Sequence, residues 1–185
     1  MTALRRSPLR LCAVLVLATA SCAIAAPAAE LEDAIAARLL LMDDVARYKW
    51  NHALPVVDPE REDALLERAT GDAVAIGLSE AYARRVIAAQ IDASRAIQLE
   101  LVSGWQRDKQ PPFADVPDLA SVQRPAIDAA THRLLERLHA TMCTLSDEST
   151  RADLQNPPAS LARQHAAWSI AIAALWPVPG DACGH

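Results

Sequence analysis

An all-α fold, one helical domain of about six helices with a long first helix, follows from three features of the 185-residue sequence. Apolar residues make up 52% of the chain, yet only seven are aromatic and five are glycine, with alanine and leucine dominant. Those residues favour helix, and few stretches are rich in the β-branched residues that strands prefer. Apolar positions recur at spacings of three, four and seven, and capping residues precede several of these runs. The length suits a single domain with a substantial core.

The first 25 residues stand apart from that domain. Arg5, Arg6 and Arg10 precede the apolar run "LCAVLVLATA", and "CAIAA" supplies small residues. This three-part plan predicts a secretory signal peptide cut near Ala25, leaving 26–185 as the helical domain. The run is short for a span of about 20 residues, which argues against a signal anchor. Cys22 is a weaker candidate for lipid attachment, because Thr19 stands where such a signal usually has leucine. The expected location is therefore the periplasm or outside the cell.

Residues 30–53 read as one helix, with Leu31, Ile35, Leu39, Met42, Val45, Ala46 and Ala53 on its apolar side. Pro55 and Pro59 stop it. Asp58 then suits an N-cap, Pro59 the first helical position and Glu60 the first turn, for a helix to about Thr70 that ends near Gly71. Ser79 caps a third helix reaching about Gln106, and "KQPPFADVPDL" is a proline-rich loop. A fourth helix is expected from about Leu119 to Leu145, with Pro125 in its first turns. One short helix, one longer helix and an irregular tail complete the chain.

The formal charge is −5, and loss of the three leader arginines moves it to −8. With no basic run, the mature chain is a poor partner for nucleic acid or an anionic membrane. An anionic ligand must be met by a local cluster of positive charge. Cys12 and Cys22 fall in the leader, which leaves Cys143 and Cys183 as an even pair in an exported protein. A disulfide between them, worth about 3–5 kcal/mol in the chain-entropy model, is favoured over a metal site, because "MCT" and "ACGH" lack tight ligand spacing.

Polar residues then fall into register. Arg38 and Lys49 are eleven apart, three turns with about 20° of drift, so both project to one side about 16 Å apart along the axis. Ser94 and Gln98 share a helix face one turn apart. Arg61 sits in the first turn after Asp58, beside free backbone N–H groups. Singly, each of these is most simply a solvated surface residue. Together they resemble the all-helical chorismate mutases, and among them the secreted, gamma-type branch. That family's motif runs Arg, Lys eleven later, Asp nine further, Arg three beyond, Ser or Thr after 33 more, then Gln or Glu one turn on. Here those places hold Arg38, Lys49, Asp58, Arg61, Ser94 and Gln98. "VARYKW", "LPVVDPERE" and "RVIAAQIDASRAIQ" are also similar to the family's wording, and the resemblance covers roughly 30–135.

The resemblance implies a chorismate mutase type II-like fold and conversion of chorismate to prephenate, a step of aromatic amino acid biosynthesis, with no cofactor and no metal. Secreted relatives supply a further arginine from their own later helix, after a proline-rich loop. Arg124 in "DLASVQRPAID" takes that position, with Arg133 as the alternative. Arg38 and Arg124 would then clamp substrate carboxylates, while Lys49 and Gln98 donate to the breaking ether oxygen. Arg61, Asp58 and Ser94 would complete substrate binding. A homodimer is the assembly implied. No Gly-rich phosphate loop, H-E-x-x-H or G-x-S-x-G motif points to another reaction. His52, His132, His139, His165 and His185 are scattered, and Trp50, Trp168 and Trp176 suit core or interface gaps. A rival of another class is a non-catalytic exported helical binding or effector protein on the same scaffold.

Overall fold

A computed structural model describes residues 27–178 and 181. The expected leader therefore lies outside the described residues. Among those described, the regular elements are all helical: α1 (Pro27–Leu40), α2 (Met42–Asn51), α3 (Pro59–Ala75), α4 (Glu80–Asp108), α5 (Arg124–Thr141), α6 (Glu148–Gln155) and α7 (His165–Ala173). A π-helical turn, Leu119–Gln123, leads into α5. Two 3₁₀ turns, Met142–Thr144 and Ala159–Leu161, link the C-terminal helices.

The long first helix is present with one interruption. Leu41 separates α1 from α2 but keeps right-handed dihedrals, φ −64° and ψ −18°, and its carbonyl still accepts from the Val45 N–H at 3.3 Å. The rod therefore continues through the break, and Arg38 and Lys49 stay on its inner side. No proline or glycine marks this position in the sequence.

The second expected boundary is wrong. The helix that starts at Asp58 and Pro59 does not end near Gly71 but runs to Ala75. Glycine costs about 1 kcal/mol in a helix interior. Here the buried series Leu65, Ala69 and Ala73 continues past it, and packing of that stripe on α4 outweighs local propensity. The stop is Gly77, whose φ of +99° is accessible to glycine at little cost. Its N–H donates to the Val74 carbonyl at 3.0 Å, and the next N–H, of Leu78, reaches back to Ala73 at 3.0 Å. A Cβ added at Gly77 would also meet the His139 ring at 3.3 Å. Gly77→Ala is expected to destabilise the fold by about 1–2 kcal/mol, read as a lower urea midpoint, with turnover unchanged at a temperature where the protein is folded.

Asp58 and Ser79 cap as the sequence predicts. The Asp58 carboxylate accepts from the Arg61 N–H at 3.2 Å, and the Ser79 hydroxyl accepts from the Tyr82 N–H at 3.3 Å. The core is one continuous cluster in which α5 packs on α1, and α3 and α7 pack on α4. Trp168 is fully buried and donates its indole N–H to the Leu154 carbonyl at 2.9 Å, while Tyr82 donates to the Leu175 carbonyl at 2.5 Å. Each bond satisfies a polar atom that burial would otherwise orphan. Trp50 instead meets Trp105 edge-on, half-buried near the protein surface. His132 and His139 are exposed.

Asp181 is tied to the first turns of α4. It accepts from Arg85 at 2.5 Å and from the Val178 N–H at 2.8 Å. Cys143 is disulfide-bonded, and Cys183, its expected partner, lies outside the described residues.

Candidate active site

The inner sides of α1 and α2 face α3, α4 and the start of α5 across a cleft of about 610 Å³, counting the solvent at its mouth. Arg38, Lys49, Asp58, Arg61, Ser94, Gln98 and Arg124 all line it. The sequence intervals thus bring together residues up to 86 positions apart. Arg133, the alternative to Arg124, is exposed further along α5 and is not part of this lining.

Arg38 forms the floor, with 2% of its surface exposed. It donates to Thr131 Oγ1 at 3.1 Å, to the Gln90 carbonyl at 2.9 Å and to Ser94 Oγ at 2.7 Å. All three partners are neutral. Burial lowers its pKa to about 10, partly offset by the field of Asp128, so the guanidinium stays protonated at neutral pH. A buried charge with no carboxylate in contact is costly unless a ligand supplies the counter-charge.

Lys49 projects from the last turn of α2 and is 8% exposed. Its ammonium donates to the Val56 carbonyl at 2.6 Å. Burial pushes its pKa below the usual lysine value; Asp58 and Glu62 favour the charged form, and Arg124 opposes it. Gln98 is buried on α4, where its amide donates to the Ser94 carbonyl at 3.2 Å and contacts Met42 Sδ at 3.5 Å. Its Oε1 has no hydrogen-bond partner among the described residues, as is also true of Gln90 and Gln123.

Arg61 reaches across to Asp128 Oδ1 at 2.9 Å, and Arg68 holds the same oxygen at 2.6 Å. Arg124 lies 3.7 Å from the Asp58 carboxylate, with 40% of each side chain exposed. Five cationic side chains, counting Arg95, line the cleft against two carboxylates, Asp58 and Glu62. Such an excess in an acidic chain focuses positive potential where a dianion would sit.

Sequence reasoning missed Glu62, Arg95, Thr131 and Asp128. Glu62 and Arg95 pair at 2.6 Å on the cleft wall. Asp128 and Thr131 lie four and seven residues after Arg124, on the same side of α5. That helical spacing would have flagged Asp128, one turn from Arg124, whereas Thr131 joins the site only through the packing of α5 on α1.

A family model described as "Chorismate mutase type II" matches residues 23–99. The secreted chorismate mutase of Mycobacterium tuberculosis is 34% identical over 135 residues, covering 73% of this chain and 67% of that protein. The secreted chorismate mutase of Mycolicibacterium smegmatis is 30% identical over 130 residues, covering 70% and 71%. The crystal structure of chorismate mutase from Burkholderia thailandensis superposes with a TM-score of 0.70 at 31% identity, covering 80% of this chain and 98% of that one. The enzyme from Burkholderia phymatum shares the fold, with a TM-score of 0.73 at 24% identity. By sequence and by helical architecture alike, this chain belongs to the all-helical, type II chorismate mutase family.

Proposed function

We propose that this cleft rearranges chorismate to prephenate with a site built entirely from one chain. The chain is an isomerase of the chorismate mutase family, and chorismate is the substrate. The observation that carries the site assignment is Arg38, a buried cation among neutral partners, in a cleft with an excess of positive charge. A substrate with two carboxylates supplies the missing counter-charge.

The reaction is a concerted intramolecular rearrangement: an ether C–O bond breaks as a C–C bond forms, with no net transfer of protons or electrons. The protein can accelerate it by holding the flexible substrate in a near-attack chair and by stabilising charge that grows on the ether oxygen. Arg38 and Arg124 take the carboxylates, with Arg61 free to join once a substrate oxygen replaces Asp128. Lys49 and the Gln98 amide donate to the ether oxygen. Ser94 and the backbone at Asp58 meet the hydroxyl or a carboxylate.

Purified protein lacking residues 1–25 should consume chorismate, followed by its loss of absorbance, and yield prephenate. A flat trace from protein with full helical circular dichroism would instead favour a binding or effector role on this scaffold. The secreted relatives support an exported protein. Within that, we assign residues 1–25 as a cleaved signal, with the periplasm or the medium as destination. A homodimer is compatible with this reading, which does not require a partner's residue.

A further inference from the structure

Arg124 enters the cleft from a segment with little helical support of its own. It follows the proline-rich stretch 109–118, where Lys109 and Asp115 both have positive φ, and it begins α5 directly after a π-helical turn. In that turn the Gln123 N–H bonds to the Asp118 carbonyl at 3.1 Å and the Arg124 N–H reaches back to Leu119. A π turn holds one residue more than an α turn, so the direction of Arg124 depends on how this turn is held.

What holds it is one stripe of α2. Gln123 is 4% exposed, and its amide donates to the Asp44 carbonyl at 3.1 Å and to the Pro117 carbonyl at 2.7 Å. Tyr48 donates to Asp118 Oδ2 at 3.4 Å, while Asp118 Oδ1 caps the turn through the Ser121 N–H at 2.8 Å. Asn51 makes a reciprocal pair with the Phe113 backbone at 2.9 and 2.8 Å. Positions 44, 48 and 51 form a stripe about a third of a turn from Met42, Val45 and Lys49, which face the cleft. One helix therefore carries Lys49 on one side and, on the next, fixes the segment that presents Arg124.

We infer that Gln123 is a positioning residue: by joining the turn before Arg124 to the helix of Lys49, it sets the distance across the cleft at which Arg124 meets the substrate. The inference rests on the reading of Arg124 as a substrate ligand. Gln123 touches no substrate and acts through its neighbour. A shift of about an ångström in a charged clamp weakens binding without altering charge elsewhere in the site.

The test is a double-mutant cycle in steady-state kinetics. Arg124→Ala alone should raise KM strongly. Gln123→Met, close in volume but without the two donors, should raise KM about tenfold while kcat changes by less than about twofold. In the Arg124→Ala background Gln123→Met should add nothing, because the group it positions is gone. If Arg124→Ala leaves KM unchanged, the reading of Arg124 fails. If Arg124→Ala raises KM while Gln123→Met does not, or raises it equally in both backgrounds, the positioning role is overturned and the reading of Arg124 stands. Should Gln123→Met fail to fold, Asn51→Ala, at a partly exposed tie, must show a smaller KM rise that also vanishes without Arg124. An Asn51→Ala effect independent of Arg124 overturns the inference equally.

Discussion

Lys49→Met is expected to lower kcat by about 10²–10³-fold while KM changes far less. Methionine keeps the length of the stem that lies between α2 and Val56 and removes only the ammonium. The split between the constants follows from when the charge appears. The ether oxygen of bound chorismate is a weak acceptor, and it gains negative charge only as the C–O bond stretches. A donor aimed there stabilises the transition state more than the ground state, so its loss falls on kcat. A rise in KM with kcat preserved would instead make Lys49 an ordinary carboxylate ligand. The same residue should set the alkaline limit of the native enzyme. Burial lowers the Lys49 pKa, with Asp58 and Glu62 resisting. The active, protonated form is complete below that pKa and is lost as pH rises through it. The decline should therefore begin at lower pH than an ordinary lysine would give.

Much of this site is legible in the sequence because it lies on helices. Intervals of eleven and four residues translate directly into shared faces, so spacing alone pairs Arg38 with Lys49 and Ser94 with Gln98. Local chemistry likewise marks Asp58 and Ser79 as caps. What spacing does not reveal depends on packing between distant segments. Gly71 is a competent helix stop on its own, and only the stripe through Leu65, Ala69 and Ala73 carries α3 past it. Leu41 carries no sign of the interruption it makes. Thr131 reads as an ordinary helix residue until α5 packs on α1 and its hydroxyl meets Arg38. The π turn before Arg124 is similarly silent, since nothing in "LASVQ" calls for an i+5 bond.

Gln98→Glu gives the second large effect, and its direction is set by what an amide can do that a carboxylate cannot. The Gln98 amide donates at any ordinary pH, and at rest that capacity is spent on Ser94 and Met42. A carboxylate at the same place is acceptor-only and would face the ether oxygen as charge builds there. Protonated, it regains one donor. Two forces act on the introduced group: burial in a site where Gln98 is 6% exposed raises its pKa, and the nearby cations lower it. Bound substrate offsets most of that positive excess with its two carboxylates, so burial is expected to prevail in the complex. The variant should thus retain little kcat at pH 7.5, down about 10²-fold, and recover as pH falls through the carboxyl pKa. Gln98→Leu, which cannot donate in any state, should stay impaired across the whole range. A Gln98→Glu profile that follows the native one would remove Gln98 from the reacting centre, leaving Lys49 as the sole donor to the ether oxygen.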